Sequence, residues 1–560
     1  MRESIEEVIE KYALQNAIKY GSTPLADAVM GKVLSECTWL RTKTSEIIPL
    51  VQRAIERINS MTHAERLARL QKIAPELILH KKKERVRGLP PLEVREEVKM
   101  RIAPNPNGPP TLGTARGVII NHEYAQMYSG KFILRFDDTD PKIKKPMLEA
   151  YEWYKEDCEW LGAKPDETFI ASDRIDKYYQ YAKKLIKMSK AYVCFCDRDE
   201  FKIFKDSMRA CPHREQDVNV NLKYWKKMLA GEYEEGEAVL RIKTNIQHRD
   251  PALRDWVALR IVKEAHPRAG RKYDVWPMLD FESAIEDHLL GITHIIRGKD
   301  LMDSERRQKF VYDYFGWKYP NTSHWGRIKI HEFGKFSTSE IKRAIDEGKY
   351  EGWDDPRLPT VRALRRRGIQ AEAIRNFMVD LGVSNTDIAV SKDTLYAENR
   401  KIIDPIANRY FFVWNPIKLE IKNTMPTVAK APIHPTDSRG FREILVQGEV
   451  FVCKDDIEGI NKGDKLRLKD LYNIQITSLC PLSANYIGND LGITKQGANI
   501  IHWCPQEGVK VKVICPDKEY NGIGESGISS EWGNVVQFER FGFVRIDSID
   551  GEIVAYFAHK

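Results

Sequence analysis

Two threonines, Thr111 and Thr114, stand three residues apart where a Pro- and Gly-rich stretch, RIAPNPNGPP (101–110), gives way to the apolar, helix-like GTARGVIINHEYAQMY (113–128). Polar groups in the first turn of a helix sit beside backbone N–H groups that have no intrahelical partner and at the positive end of the helix dipole, so they suit a phosphate. VKMRIAP before this stretch and KFILRFDD (131–138) after it read as strands, and the three pieces make a βαβ unit of the doubly wound kind. Ligands gather at the carboxyl ends of the strands in such units, where the loop 104–113 and DDTD (137–140) would both lie. Gly108 and Gly113 permit close approach to the loop backbone. The DDTD carboxylates can take an ammonium group or ribose hydroxyls, or they can simply cap a strand-to-turn junction. The stretch has no histidine and no phosphate-loop lysine.

Two further clusters carry chemistry. CFC (194–196) and CPH (211–213) supply Cys194, Cys196, Cys211 and His213, a Cys₃His set that suits tetrahedral Zn²⁺. The alternative is four reduced, partly buried residues without mutual contact. RLPTVRALRRRGIQAEAIR (357–375) holds six arginines against one carboxylate. It reads either as a solvated helix face or as a surface that binds phosphate oxygens bidentately.

These features need elements to hold them. A chain of 560 residues exceeds one core and implies three to five units. The charged fraction of 30% excludes fibrous and low-complexity classes, while a net charge of +8 is mild for this length. No apolar run approaches about 18 residues, so no membrane span is expected. The N-terminal stretch lacks the apolar core of a signal peptide, and nine cysteines are too few for a disulfide scaffold, so a reducing, cytoplasmic setting is expected. Ile5, Val8, Ile9 and Tyr12 fall at helical spacing. A basic, Pro-punctuated segment (80–101) reads as a linker. Strand-like runs then alternate with helical periods to about Tyr410, an α/β pattern. From Phe411 onward short alternating stretches such as KLEIK, EVFVCK and VVQFERFGFVRI suggest one or two antiparallel β-barrels.

RIAPNPNGPPTLGTAR followed by RFDDTDP resembles the nucleotide-binding signature of class I aminoacyl-tRNA synthetases, most of all the glutamyl/glutaminyl branch. VWPMLDFESAIEDHLLGITHIIRGKDL (275–301) resembles that branch's amino-acid-binding segment. KFSTS (335–339) stands at the flexible signature loop, GWDDPRLPTVRALRRRGI (352–369) resembles the segment that contacts the inside of the tRNA, and GNVVQFERFGFVRID (533–547) resembles the end of a barrel-type anticodon-binding region of the archaeal and eukaryotic kind. Five such motifs in order carry far more weight than one.

The resemblance implies ATP, Mg²⁺, L-glutamate and tRNA(Glu) as partners, with tRNA(Gln) a second acceptor to consider, and a monomer without membrane association. It implies activation of the amino acid on ATP and transfer to the terminal adenosine of tRNA. A glutaminyl enzyme and a catalytically silent tRNA-binding relative are the alternatives. Thr111, Thr114 and Lys335 take the catalytic positions, and Pro104, Gly113, Thr114, Ser337, Thr338 and Ser339 the ATP positions. Thr111 stands where the family has a histidine and Thr338 where it has a second lysine, so positive charge must come from elsewhere; Lys329, Lys342 and Arg343 are nearby in sequence. Glutamate would meet Arg101, Ala103, Asn105, Asp137, Leu279, Ser283 and Arg297, although Arg297 could instead pair with Asp300 or Asp303. KFSTS could also be a cap for the helix that follows. Arg357, Arg365, Arg366 and Arg367 are the expected tRNA contacts, and the Cys₃His set a structural zinc site. The expected domains are an N-terminal helical region (1–95), a Rossmann-like catalytic domain in two halves (96–190 and 285–340) around an inserted acceptor-end-binding domain (191–284), a helical stem-contact region (341–410) and the β-barrel anticodon-binding region (411–560).

Overall fold

The computed structural model describes residues 4–20, 23–37, 39–40, 44–77, 88–330, 337–436 and 439–560. Two compact units divide the chain, residues 1–87 and 88–560. The first is helical: α1 (Ile5–Tyr20), α2 (Ala26–Glu36), α3 (Thr44–Asn59) and α4 (His63–Ile73). Val8, Ile9, Ala13 and Leu14 of α1 pack on Val33, Val51, Ile58 and Leu70. Thr62 and Glu65 start α4 with a reciprocal capping box. Buried Glu10 is held by Arg57 at 3.2 Å and Arg69 at 2.9 Å. No helix among the described residues is long and apolar enough to cross a membrane.

The second unit begins with β1 (Lys99–Ile102), α5 (Leu112–Met127), β2 (Lys131–Phe136), α6 (Leu148–Trp160) and β3 (Glu167–Ile170), the three strands pairing in parallel. Next comes α7 (Ile175–Lys187). An antiparallel sheet then interrupts the pattern: β4 (Ala191–Cys194), β5 (Val239–Ile242), β6 (Val257–Ile261) and β7 (Val275–Pro277), with α8 (Arg198–Asp206) and α9 (Val218–Leu229) between β4 and β5. The parallel pattern resumes through α10 (Leu279–Leu289) into β8 (His294–Gly298), α11 (Met302–Phe315) and β9 (Asn321–Trp325). Thr293 N–H donates to Lys99 O at 3.1 Å, which sets β8 beside β1. The order β3-β2-β1-β8-β9 reverses direction between β1 and β8, the crevice where doubly wound sheets bind ligands.

The sequence predicts α5 with one apolar face, but eleven of its sixteen residues are buried. The sheet covers one side, and α14 (Ala371–Leu381) covers the other with Ala373, Ile374, Phe377 and Met378. A helix covered on both sides needs no polar stripe. Arg116 within it is 1% exposed and has no carboxylate partner among the described residues; its Nη1 and Nη2 donate to Gly326 O at 3.0 Å and Gly382 O at 2.6 Å, and burial lowers its pKa to about 10.

Toward the C-terminus, two seven-stranded sheets and a hairpin enclose separate cores, one around Leu419, Val452, Ile474 and Trp503, the other around Phe412, Val513, Phe538 and Val544. Strand Pro416–Lys422, which contains KLEIK, alternates buried and exposed positions as its pattern requires.

Candidate functional site

A cavity of about 710 Å³ opens at the carboxyl ends of β1 and β2. Backbone bonds tie its two loops together: Asp137 N–H donates to Pro104 O at 2.9 Å, and Asn105 Nδ2 donates to Asp137 O at 3.0 Å. Thr111 is the N-cap of α5, its Oγ1 accepting from Thr114 N–H at 3.4 Å and lying 3.2 Å from Thr114 Oγ1. Beside it Thr360 caps α13 (Val361–Arg366), and the two capping residues form an antiparallel bridge, with Leu112 N–H on Pro359 O at 2.8 Å and Val361 N–H on Pro110 O at 2.9 Å. A Cβ at Gly108 would sit 2.5 Å from Thr338 Cγ2 and 2.6 Å from the Trp353 ring, so glycine is what lets the loop close onto the opposite wall. Across the cavity, Ser337 caps α12 (Thr338–Asp346) in a capping box with Glu340. The serine thus both caps a helix and lines the cavity with Thr338 and Ser339.

The floor is a buried ionic cluster. Arg101 of β1 donates Nε and Nη2 to the two carboxylate oxygens of Asp287 on α10, at 2.9 and 2.8 Å. Arg135 of β2 donates Nη1 to the same Asp287 at 2.6 Å, and Nε and Nη2 to Asp137 at 2.6 and 3.1 Å. Ser283 Oγ accepts from Arg135 at 2.9 Å and donates to Asp137 at 3.0 Å. Burial by itself would raise the Asp287 carboxyl, but the two guanidinium groups outweigh it and hold it well below the usual carboxylate range. Next along the chain, Asp138 is fully buried and accepts from Tyr151 Oη at 2.5 Å and from Ser172 N–H and Oγ, both at 2.7 Å. His266, stacked on Trp276, meets Asp138 O at 2.8 Å, and the DDTD turn is therefore fixed from below.

Of the residues singled out from sequence, Ala103, Pro104, Asn105, Thr111, Thr114, Asp137, Leu279, Ser337, Thr338 and Ser339 line this cavity together. Arg101 and Ser283 lie beneath it in the cluster, and Gly113 is exposed at the helix start outside the lining. Arg297 is buried and forms no pair with Asp300 or Asp303; its Nη2 donates to Gln308 at 3.2 Å and Tyr319 at 3.1 Å, while Nε has no partner among the described residues. Lys335 lies outside the described residues. Lys329, Lys342 and Arg343 do not line the cavity, and Lys342 is paired with Asp346 at 2.7 Å. Sequence reasoning passed over two cations in the lining, Lys144 and Arg260, and one buried acid, Glu282. Glu282 had a visible signal, an acidic residue directly before Ser283 on a helix face otherwise destined for the core. Lys144, in the turn after DDTD, had none.

The arginine run needs a correction. Arg367 is 1% exposed, and its guanidinium donates to Phe557 O at 2.9 Å, Ala558 O at 2.6 Å and Tyr396 Oη at 2.8 Å; it anchors the C-terminal strand and is not a surface cation. Arg357 is held by Asp355, and Arg366 lies between Asp354 at 3.1 Å and Asp547 at 3.3 Å. Arg365 is exposed, 5.5 Å from the Trp160 ring, and makes no ion pair among the described residues.

The Cys₃His residues converge. Cys194 Sγ lies 3.9 Å from both Cys211 Sγ and His213 Nδ1, Cys196 Sγ lies 3.4 Å from His213 Nδ1, and all four donor atoms fall within 4.8 Å of one another. Zn–S bonds of about 2.3 Å in a tetrahedron put sulfurs about 3.8 Å apart, so the set fits Zn²⁺. A second grouping, Cys453, Asp456 and His502, does not fit an ion. His502 Nε2 donates to Phe412 O at 2.6 Å, its Nδ1 meets Arg540 at 3.1 Å, and Asp456 is bound at both oxygens by Arg540.

Comparison with known proteins accounts for nearly all of residues 97–547. The catalytic domain of class I tRNA synthetases (E and Q) matches residues 97–405, and anti-codon binding domains of the same class match 407–486 and 500–547. A glutamate–tRNA ligase of Methanosarcina mazei is 60% identical over 99% of this chain and 98% of its own. One from Methanothrix thermoacetophila is 58% identical over the full length of both chains, and one from Pyrococcus abyssi is 49% identical over 99% of this chain and all of its own.

The cluster beneath the cavity generates a stability prediction. Asp287→Asn leaves two buried guanidinium groups without their shared carboxylate and is expected to destabilise the fold by about 3–5 kcal/mol at pH 7. Because the folded-state pKa of Asp287 is depressed, the stabilisation it provides is present above about pH 4 and fades only as pH falls below that. Thermal unfolding of wild type and variant at pH 7 and pH 5 should therefore give the same gap at both; a variant with wild-type melting would refute this account.

Proposed function

Because the chain belongs to the class I tRNA synthetases of the glutamyl and glutaminyl type, we propose that it is a glutamate–tRNA ligase, joining L-glutamate to ATP and passing the glutamyl group to the 3′-terminal adenosine of tRNA(Glu). The observation that carries the choice of amino acid is the shared activity of relatives alignable end to end at up to 60% identity. The glutaminyl and silent alternatives have no such support.

Each wall of the cavity then has a task. Asp137 faces the amino acid's α-ammonium group. Arg101 Nη1 and Arg297 Nη1 and Nε, the atoms of these two guanidinium groups without a hydrogen bond among the described residues, are the donors for its carboxylates. The α-carboxylate attacks the α-phosphorus of ATP and expels pyrophosphate; the adjoining tRNA hydroxyl later displaces AMP from the adenylate, so no protein nucleophile is needed. Catalysis of both steps is chiefly positioning and stabilisation of developing negative charge. The α5 N-terminus supplies backbone N–H groups, with Thr111 and Thr114 as neutral hydroxyls. Lys144 and Arg260 supply the charge that Thr111 and Thr338 cannot; Lys144 has no ion pair among the described residues, and Arg260 is held by Asp140 at 3.2 Å. Mg²⁺ would travel on the nucleotide phosphates, with Asp140 and Asp300 in the lining as oxygen donors of the right kind.

A second cavity of about 750 Å³ shares Met278 and Leu279 with the first. Arg198, Lys202, Lys205, Arg241 and Arg307 line it with Phe201 and Trp256. Burial, then the charges of Arg307 and Arg241, lower the Lys205 pKa, with Asp206 opposing them in part; Asp206, Asp255 and Asp280 share the lining, and Arg307 is paired with Asp280 at 2.7 Å. Cations interleaved with aromatic rings suit a single-stranded RNA end, and this cavity is the proposed path of the tRNA terminus. Arg365 is the proposed backbone contact farther out. Cys194, Cys196, Cys211 and His213 would hold a structural Zn²⁺ that fastens β4 to the turn at 211–213.

Purified protein with ATP, tRNA(Glu) and either glutamate or glutamine is expected to exchange pyrophosphate and charge tRNA with glutamate. Exchange with neither amino acid would overturn the enzyme reading, and exchange with glutamine alone would overturn the choice of substrate. Lys144→Ala should lower the activation rate constant on the order of 10²-fold with little change in the KM for glutamate; an unchanged rate removes Lys144 from the phosphate site. Elemental analysis should find one zinc per chain, falling below about half an equivalent in Cys194→Ser with earlier thermal unfolding. A zinc-free wild type would leave the four residues as a plain packing cluster.

A further inference from the structure

Glu282 is fully buried on the face of α10 that borders the cavity, and neither carboxylate oxygen has a hydrogen-bond partner among the described residues. The nearest cation, Arg135 Nε, is 3.6 Å away and already spends its donors on Asp137, Asp287 and Ser283. The charges around it balance without it: Arg101 and Arg135 offset Asp137 and Asp287, and from the α7 side Arg174 offsets Glu286 at 2.8 Å. Tyr178 on α7 also faces it with a buried hydroxyl, and across the cavity that Glu282 borders lie Lys144, Arg260, Asp140 and Asp300, none of which is paired with it. An additional buried carboxylate with no counter-charge is untenable, so this position needs either a proton or an incoming cation.

We propose that Glu282 and Asp137 together seat the α-ammonium group of the amino acid, and that Glu282 carries a proton in the empty site and releases it to solvent as the ammonium enters. One positive charge replaces another, so the charge at the Glu282–Asp137 pair is the same in both states. Burial and the neighbouring negative charge of Asp137 both push the Glu282 carboxyl upward, while Arg135 opposes them only in part, which is consistent with a protonated empty site. The ammonium offers three donors to a pair of carboxylates whose other neighbours are already satisfied. The inference rests on reading the cavity as a glutamate site.

The linkage has a defined sign. Where Glu282 is protonated in the free protein, each glutamate bound expels one proton, so affinity strengthens as pH rises, approaching tenfold per pH unit. Charging of tRNA(Glu) is measured at saturating ATP from pH 6 to 8.5, giving the KM for glutamate for wild type, Glu282→Gln and Glu282→Asp. Wild type and Glu282→Asp are expected to show a KM that falls as pH rises, whereas Glu282→Gln should have a KM raised on the order of tenfold at pH 8 and a flatter profile. Calorimetry of glutamate binding to the wild-type protein–tRNA complex, in two buffers of different ionisation enthalpy, should show release of close to one proton. Identical pH profiles for wild type and Glu282→Gln, or no proton release from wild type, overturn the proposal. The calorimetric arm needs no variant and stands even if the substitutions impair folding. Failure of wild type to charge glutamate at any pH refutes the substrate reading instead, so the two failures are distinguishable.

Discussion

Asp287 accepts hydrogen bonds from guanidinium groups on two adjacent strands, and the site could not exist without that junction. Arg101 and Arg135 are the penultimate residues of β1 and β2, and both are almost inaccessible to water. Two like charges this close in a protein interior repel strongly unless a carboxylate lies between them. Helix α10 brings that carboxylate, and by doing so it commits its remaining polar face, Glu282 and Ser283, to the same cavity floor. The strand ends, the DDTD turn and the helix that follows the inserted sheet are thereby locked into one arrangement. A helix whose buried residues include Asp280, Glu282, Ser283, Glu286 and Asp287 would be incompatible with any ordinary core. It is stable because nearly every charge on it meets an opposite one.

Above this floor, rigidity comes from cheaper bonds. Backbone hydrogen bonds join the loop after β1 to the turn after β2, and side-chain caps start α5, α12 and α13 within a short distance of the cavity. These bonds hold the walls in place, a useful condition for a reaction whose transition state mainly needs charge held in position. With threonines at 111 and 338, the cations in the cavity lining among the described residues are Lys144 on a turn and Arg260 on the inserted sheet.

Much of this was legible in the chain. The βαβ unit announced itself by a change of period and by the Pro/Gly loop, and the Cys₃His set by spacing alone; its donor atoms do lie together. Other features depend on what packs where. That α5 is buried on both sides follows from α14, more than 240 residues downstream, and nothing within α5 distinguishes this from a half-exposed helix. The arginine run looks uniform as letters, yet Arg365 is exposed and Arg367 is sealed against backbone carbonyls of the last strand. Lys144 and Arg260 reach the cavity from a turn and a strand whose partners are not neighbours in sequence. Glu282 lay in plain view within a quoted motif, but its importance rests on a count of surrounding charges that only the packed cluster provides.

The bridge between Thr111 and Thr360 joins two segments that are almost 250 positions apart, each at the first turn of its own helix. Neither loop can gain or lose a residue alone, because a shift of one position would carry a capping hydroxyl out of register and break the pair of backbone bonds on either side. Loop length, ordinarily a freely drifting property, is therefore constrained at 109–112 and 359–361, while a side-chain substitution that spares the two capping hydroxyls leaves the backbone bonds intact.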